Sequence, residues 1–121
     1  MSKVIRSARD AYDYVSTFGL QEDRKCRLIV LYLALDGAVL DWNERGEDAG
    51  MIKLKDVEGA VYAIIVTSHP RGSSLPDKYD IQETMRMKEL LGAKGLGLLD
   101  QLIVGSKEFY SYAEEKVTIV K

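Results

Sequence analysis

Apolar and polar positions along the chain alternate with two periods, and the change of period marks the elements. From Ser7 to Phe18, "SARDAYDYVSTF", the residues Ala8, Ala11, Tyr12, Val15 and Phe18 recur at helical spacing. Ser7 is a good cap, Asp10 falls in the first turn and Gly19 follows the end, so a helix is predicted. After the charged link "QEDRKC" comes "RLIVLYLAL", a near-continuous apolar run that reads as a buried strand. Asp36-Gly37 is a two-residue hairpin signal, and "AVLDW" returns as the antiparallel partner. "NERGEDAG" is polar and glycine-bearing, hence a loop, with Trp42 at its edge as a half-buried anchor. "KLKDVEGAVY" is expected to form a short helix, weakened by Gly59. "AIIVT" reads as a short buried strand.

That strand runs into "TSHPRGSSLPDKYD", and a longer helix follows in "DKYDIQETMRMKELLGAKG". Asp77 is its N-cap and Asp80 lies in its first turn. Its inner face is either Ile81, Met85, Lys88 and Leu91 or Thr84, Met87 and Leu91, with Met85 and Met87 as core filler. Gly92 or Gly95 closes it. "LGLLDQLIVG" and "EFYSYAE" read as strands, and "KVTIVK" as a pairing edge. This order predicts an α/β fold, a single three-layer domain over residues 1–121 with a mixed β-sheet and flanking helices.

A chain of 121 residues holds one sizeable core and not two. With 46% hydrophobic and 30% charged residues it is not a disordered chain. A net charge of -2 argues against non-specific attraction to nucleic acid or anionic lipid. The basic residues in "DRKCR" and "MRMKELLGAK" read as solvated faces. The lone Cys26 excludes an intramolecular disulfide and reads as a small buried hydrophobe. No apolar run suits a signal peptide or a membrane span, so a cytoplasmic protein without membrane contact is expected.

The candidate chemistry lies in the loop between the third strand and the long helix. It holds the only histidine, His69, and both prolines, and it ends on Asp80. A helix start offers unpaired N–H groups and a partial positive charge, and His69 and Asp80 can converge there. A metal site with a single histidine has to lean on carboxylates, water or cysteine.

These residues resemble a known signature. "SHPRGSSLPDKYDI" looks like the metal-binding motif of the JAB/MPN (JAMM) superfamily in its RadC-like branch, His-x-His-Pro-Ser-Gly, several residues, Pro-Ser, two residues, Asp. "LLDQLIVG" is similar to that branch's Leu-Leu-Asp-His-Ile-Ile-Val-Gly strand, and "FYSYAE" to its closing Tyr-Tyr-Ser-Phe-Ala-Glu. "VIRSARDAYDYV" fits its first helix, so the resemblance covers most of the chain and is strongest from Ile64 to Glu114.

The resemblance implies a cytidine-deaminase-like fold and zinc-dependent hydrolysis of peptide or isopeptide bonds. Two histidines and an aspartate hold the zinc, an early-strand glutamate is the general base, and a serine supports the oxyanion. Carried over, the second histidine is His69 and the aspartate is Asp80. The first histidine falls on Thr67, the serine on Asp77 and the glutamate on Cys26. Glu22 stands four residues before Cys26, about 13 Å away along an extended strand. The link from Leu40 to Thr67 is shorter than the family's, so the helix before the signature strand reads as trimmed.

The set implied for any bound metal is therefore His69, Asp80 and Asp77, with zinc the cofactor if the degenerate site is occupied and none otherwise. Thr67, Arg71 and Ser73 are candidate binding residues, and Cys26 and Glu22 are the only catalytic candidates. The expected function is a non-catalytic, pseudo-metalloprotease domain that serves as an interaction or scaffold module for a protein partner, in a DNA-repair-labelled RadC context. The alternatives are a zinc-dependent isopeptidase or peptidase with unusual ligands, and a Cys26–His69 nucleophile pair. The exposed edge strand near the C-terminus allows a homodimer.

Overall fold

The computed structural model describes residues 3–20, 26–45, 52–69 and 74–120. In chain order the elements are α1 (Ala8–Ser16), β1 (Leu28–Leu33), β2 (Val39–Glu44), β3 (Tyr62–Ser68), α2 (Lys78–Ala93), β4 (Gly97–Val104), β5 (Glu108–Ser111) and β6 (Lys116–Ile119). The strands form one six-stranded sheet in the order β2-β1-β3-β4-β5-β6. Among the described strands only β3 and β4 run parallel. Parallel neighbours need a crossover, and α2 supplies it.

The helices lie on opposite faces of the sheet, as the three-layer expectation required. Ala8, Ala11, Tyr12 and Val15 of α1 pack with Ile29, Leu31 and Leu33 of β1 and with Ile64 and Val66 of β3. Met87 and Leu91 of α2 pack with Leu28, Val30 and Tyr32 and with Ala63 and Ile65 on the other side. β1 and most of β3 are thus buried on both faces, which is why their sequences are continuous apolar runs rather than alternating ones. Ser7 caps α1 through its Oγ, which accepts from the Asp10 N–H at 3.1 Å. The hairpin turn uses Gly37 at φ +91°, where a Cβ would stand 2.5 Å from the Ile5 carbonyl oxygen. Glycine therefore lets the N-terminal segment bridge onto the hairpin at Val4 and Ala38.

Three expectations need correction. No helix forms between residues 52 and 60. The Lys55 N–H donates to the Tyr32 hydroxyl at 2.9 Å and the Lys53 carbonyl accepts from Asn43 at 2.8 Å. Those backbone groups are spent on the β1–β2 hairpin instead of a helical ladder, and Gly59 at φ +85° ends the segment in a turn. In α2 it is Thr84, Met87 and Leu91 that face the sheet, while Ile81 and Met85 are exposed; Met85 is not core filler. Cys26 is exposed rather than buried. Of the two glycines that could close α2, Gly95 at φ +76° lies beyond its end and Gly92 lies within it. Among the described residues no helix is long and apolar enough to cross a membrane.

Candidate functional site

The parallel pair β3–β4 ends at Ser68 and Val104, and the chain leaves β3 toward the start of α2. Strand periodicity places Thr67 and His69 on one side, the α2 side, because Ala63 and Ile65 point there. The His69 N–H donates to the Val104 carbonyl at 2.8 Å, which extends the ladder by one residue and holds the histidine at the cleft. From the helix side Asp80 comes to meet it, with its Oδ1 3.1 Å from His69 Nε2.

Asp80 also completes the start of α2. Its Oδ2 accepts from the Asp77 N–H, and Asp77 Oδ1 accepts from the Asp80 N–H, each at 2.9 Å. This is a reciprocal capping box built from two aspartates. The Asp80 N–H bond holds the Asp77 carboxyl below its ordinary value. Asp77 is thus engaged as a cap. Both oxygens of Asp80 are taken, one by His69 and one by the backbone.

Around this pair lies a cleft of about 260 Å³, lined among others by Cys26, Arg45, Thr67, Glu83 and Gln101. Its rim charges are internally paired. Arg27 makes a two-pronged contact with Glu44 at 2.7 Å on each prong, and Arg45 reaches Glu83 at 3.3 Å. The interior is different. Thr67 is 9% exposed and Gln101 1%, yet among the described residues Thr67 Oγ1 and one end of the Gln101 amide have no hydrogen-bond partner. The other end of that amide meets the Thr84 hydroxyl, which itself donates to the Asp80 carbonyl at 2.7 Å. Buried polar groups normally find partners, and the described residues leave these two without one.

Zinc is the ion that the resemblance implies, and the described residues offer few donors for it. A catalytic zinc takes three protein ligands and leaves a fourth position open. Here His69 and Asp80 stand at the positions of two of the motif's ligands, Asp77 is turned into the helix cap, and Thr67 offers a hydroxyl. Among the described residues no three His, Cys, Asp or Glu side chains converge in a way that could hold a metal ion.

The structure brings together Thr67, His69, Asp77, Asp80 and Cys26 at one cleft, as the motif reading grouped them. Glu22, Arg71 and Ser73 lie outside the described residues, as does most of the "NERGEDAG" loop. Gln101 was missed. Its signal was available, since it is the one polar residue in the buried run from Gln101 to Val104 and a buried strand isolates such a residue.

The other motif segments meet on the opposite side of the sheet. Asp100 Oδ2 accepts from the Ser111 hydroxyl at 2.6 Å, and its Oδ1 accepts from the Gln101 and Ala113 N–H groups at 2.7 and 2.9 Å. Ser111 Oγ accepts in turn from the Glu114 N–H at 3.1 Å, and the Glu114 carboxylate receives the Ala8 N–H at 3.4 Å. Burial nonetheless pushes the Asp100 carboxyl above its ordinary value. This corner ties β4, β5 and the start of α1 into one brace.

Comparison with known proteins points to the same family as the motif. A family model described as the RadC-like JAB domain matches residues 5–117. A UPF0758 protein of Aquifex aeolicus (strain VF5) is 30% identical over 122 residues, covering 93% of this chain and 52% of that protein. A UPF0758 protein of Carboxydothermus hydrogenoformans is 29% identical over 117 residues, covering 89% of this chain and 51% of that protein. A UPF0758 protein of Streptococcus suis is 47% identical over 62 residues, covering 51% of this chain and 25% of that protein. The chain spans about half the length of the two relatives it matches along most of its own length.

Proposed function

We propose, from the premise that this chain belongs to the RadC-like JAB domain family, that it is a non-catalytic member that acts as an interaction or scaffold module for a protein partner. The observation that carries this reading is Thr67. It stands two residues before His69 on the same side of β3, where the motif has its first histidine, and presents a buried hydroxyl without a partner. The second support is the engagement of Asp77 in the capping box, which removes the nearest replacement ligand. The third is Cys26, which puts a thiol where the motif has its general-base carboxylate.

The reading is tested on the purified full chain by metal analysis and by zinc titration calorimetry, with a peptide-cleavage assay alongside. Substoichiometric zinc and no cleavage above background are expected. One tightly held zinc per chain, with cleavage that a chelator abolishes, would reverse the conclusion in favour of a hydrolase with unusual ligands.

A further inference from the structure

The floor of the His69 cleft is made by two strands. The β3–β4 register sets Ile65 opposite Gln101 and Thr67 opposite Ile103, so Thr67 and Gln101 are diagonal neighbours on the α2 side of the sheet. Both are at least nine-tenths buried, and among the described residues each keeps one polar side-chain atom without a partner. The cleft they line holds about 260 Å³. A water molecule takes about 30 Å³ of the liquid, so there is room for an organic group.

The charged groups around this floor are already engaged. Arg27 holds Glu44, and Arg45 holds Glu83. Asp80 gives one oxygen to His69 and the other to the Asp77 N–H, and Asp77 caps α2. A ligand carboxylate would meet Asp77 and Asp80 in a cleft whose arginines hold other carboxylates. A ligand ammonium would find each of these carboxylates taken. An ion brought here loses its water without gaining a counter-charge, which is costly. The group that suits the floor is therefore uncharged, and it both donates and accepts.

We propose that the cleft binds a neutral carboxamide group, held by Thr67 and Gln101. A carboxamide carries a donor and an acceptor on one planar group. It therefore answers both the Thr67 hydroxyl and the unpaired end of the Gln101 amide, whichever end that is. The other end of that amide is held by Thr84, whose hydroxyl also donates to the Asp80 carbonyl, so the receiving group is in place before the ligand arrives. Seating the ligand removes the cost of two buried polar atoms without partners. This inference rests on the interaction reading and names what the partner would place here, the side chain of an asparagine or a glutamine. A free small amide carries the same chemistry.

Titration of the isotope-labelled full chain with N-acetylglutamine methylamide, followed by NMR, is the test. The Gln101 side-chain amide and the Thr67 backbone amide are expected to shift and to saturate with a dissociation constant of about 1–10 mM. N-acetylglutamate methylamide, of the same size but charged, binds at least about 10-fold more weakly. Thr67→Val and Gln101→Leu each weaken the glutamine probe by about 5-fold or more, with circular dichroism confirming that each variant folds. Propionamide separates the sources. Binding as tight as that of the glutamine probe assigns the cleft to a free small amide, weaker binding assigns it to a partner's side chain, and both keep the carboxamide. The absence of a saturable shift up to about 100 mM overturns the proposal. So does equal binding of the glutamate probe, or glutamine binding that neither variant changes. Zinc content and cleavage are measured apart from this titration, so its failure leaves the non-catalytic reading standing, and a tightly held zinc overturns that reading whatever the titration gives.

Discussion

Two motif corners of one sheet have met different fates. At the Asp100 corner every acceptor is used: the carboxylate takes three hydrogen bonds, and its neighbour Ser111 both donates and accepts. At the His69 cleft the geometry persists, yet Thr67 and Gln101 are left with buried polar atoms unpaired. The first corner is closed by the fold alone. The second is left open among the described residues. A motif that braces the chain keeps its partners because stability depends on them. At the cleft the capping box and the His69–Asp80 contact fix the start of α2 without using Thr67 or Gln101.

The contrast can be broken most forcefully at the brace. Asp100→Ala should cost about 2–4 kcal/mol, since it strands three donors in partly buried surroundings. Denaturant unfolding reads this directly, and a loss under about half a kcal/mol would mean that water replaces the carboxylate.

Thr67→His tests whether the cleft lacks only one ligand. The new imidazole projects on the same side of β3 as His69. Zinc affinity by calorimetry should rise by about 100-fold or more over the parent chain, by analogy with the two-histidine, one-carboxylate ligand set. An unchanged affinity would show that the Asp77–Asp80 capping box holds the carboxylate away from a metal.

Thr67→Val is the complementary change and should act in the opposite sense to Asp100→Ala. It removes an unpaired hydroxyl at nearly constant shape, so the chain should gain up to about 1 kcal/mol. A loss of similar size would reveal that the hydroxyl has a partner in solution.

The smallest effect concerns pH. The Asp77 carboxyl is held below its ordinary value chiefly by the Asp80 N–H. Its contribution is therefore fully present above the ordinary carboxylate value of 3.8 and is lost as pH falls through the lower folded value. Asp77→Asn keeps a capping side chain without the charge, so it should flatten the acid limb of the melting curve through a small loss of stability at neutral pH. Asp100 works the other way. Its raised carboxyl favours the fold below 3.8, and that contribution is lost as pH rises through its raised value.

Local rules in the sequence determined most of the elements. Helix caps at Ser7 and Asp77, the Asp36-Gly37 turn and the apolar runs of β1, β3 and β4 act over a few residues, and each appears where those residues stand. The segment from 52 to 60 escaped such rules because its backbone bonds go to Tyr32 and Asn43, partners far along the chain. The face of α2 escaped for a related reason. Two neighbouring stripes were equally apolar in sequence, and only the position of the sheet decided that Thr84, Met87 and Leu91 turn inward. The motif itself located His69 and Asp80 and named Thr67, Asp77 and Cys26 as departures from it. Tertiary structure decided the surroundings of those residues. It placed Thr67 in a buried position without a partner among the described residues, committed Asp77 to the helix cap, and brought Gln101 from β4 into the same cleft, because hydrogen-bond satisfaction depends on which strands and helices come together and not on the order of residues along the chain.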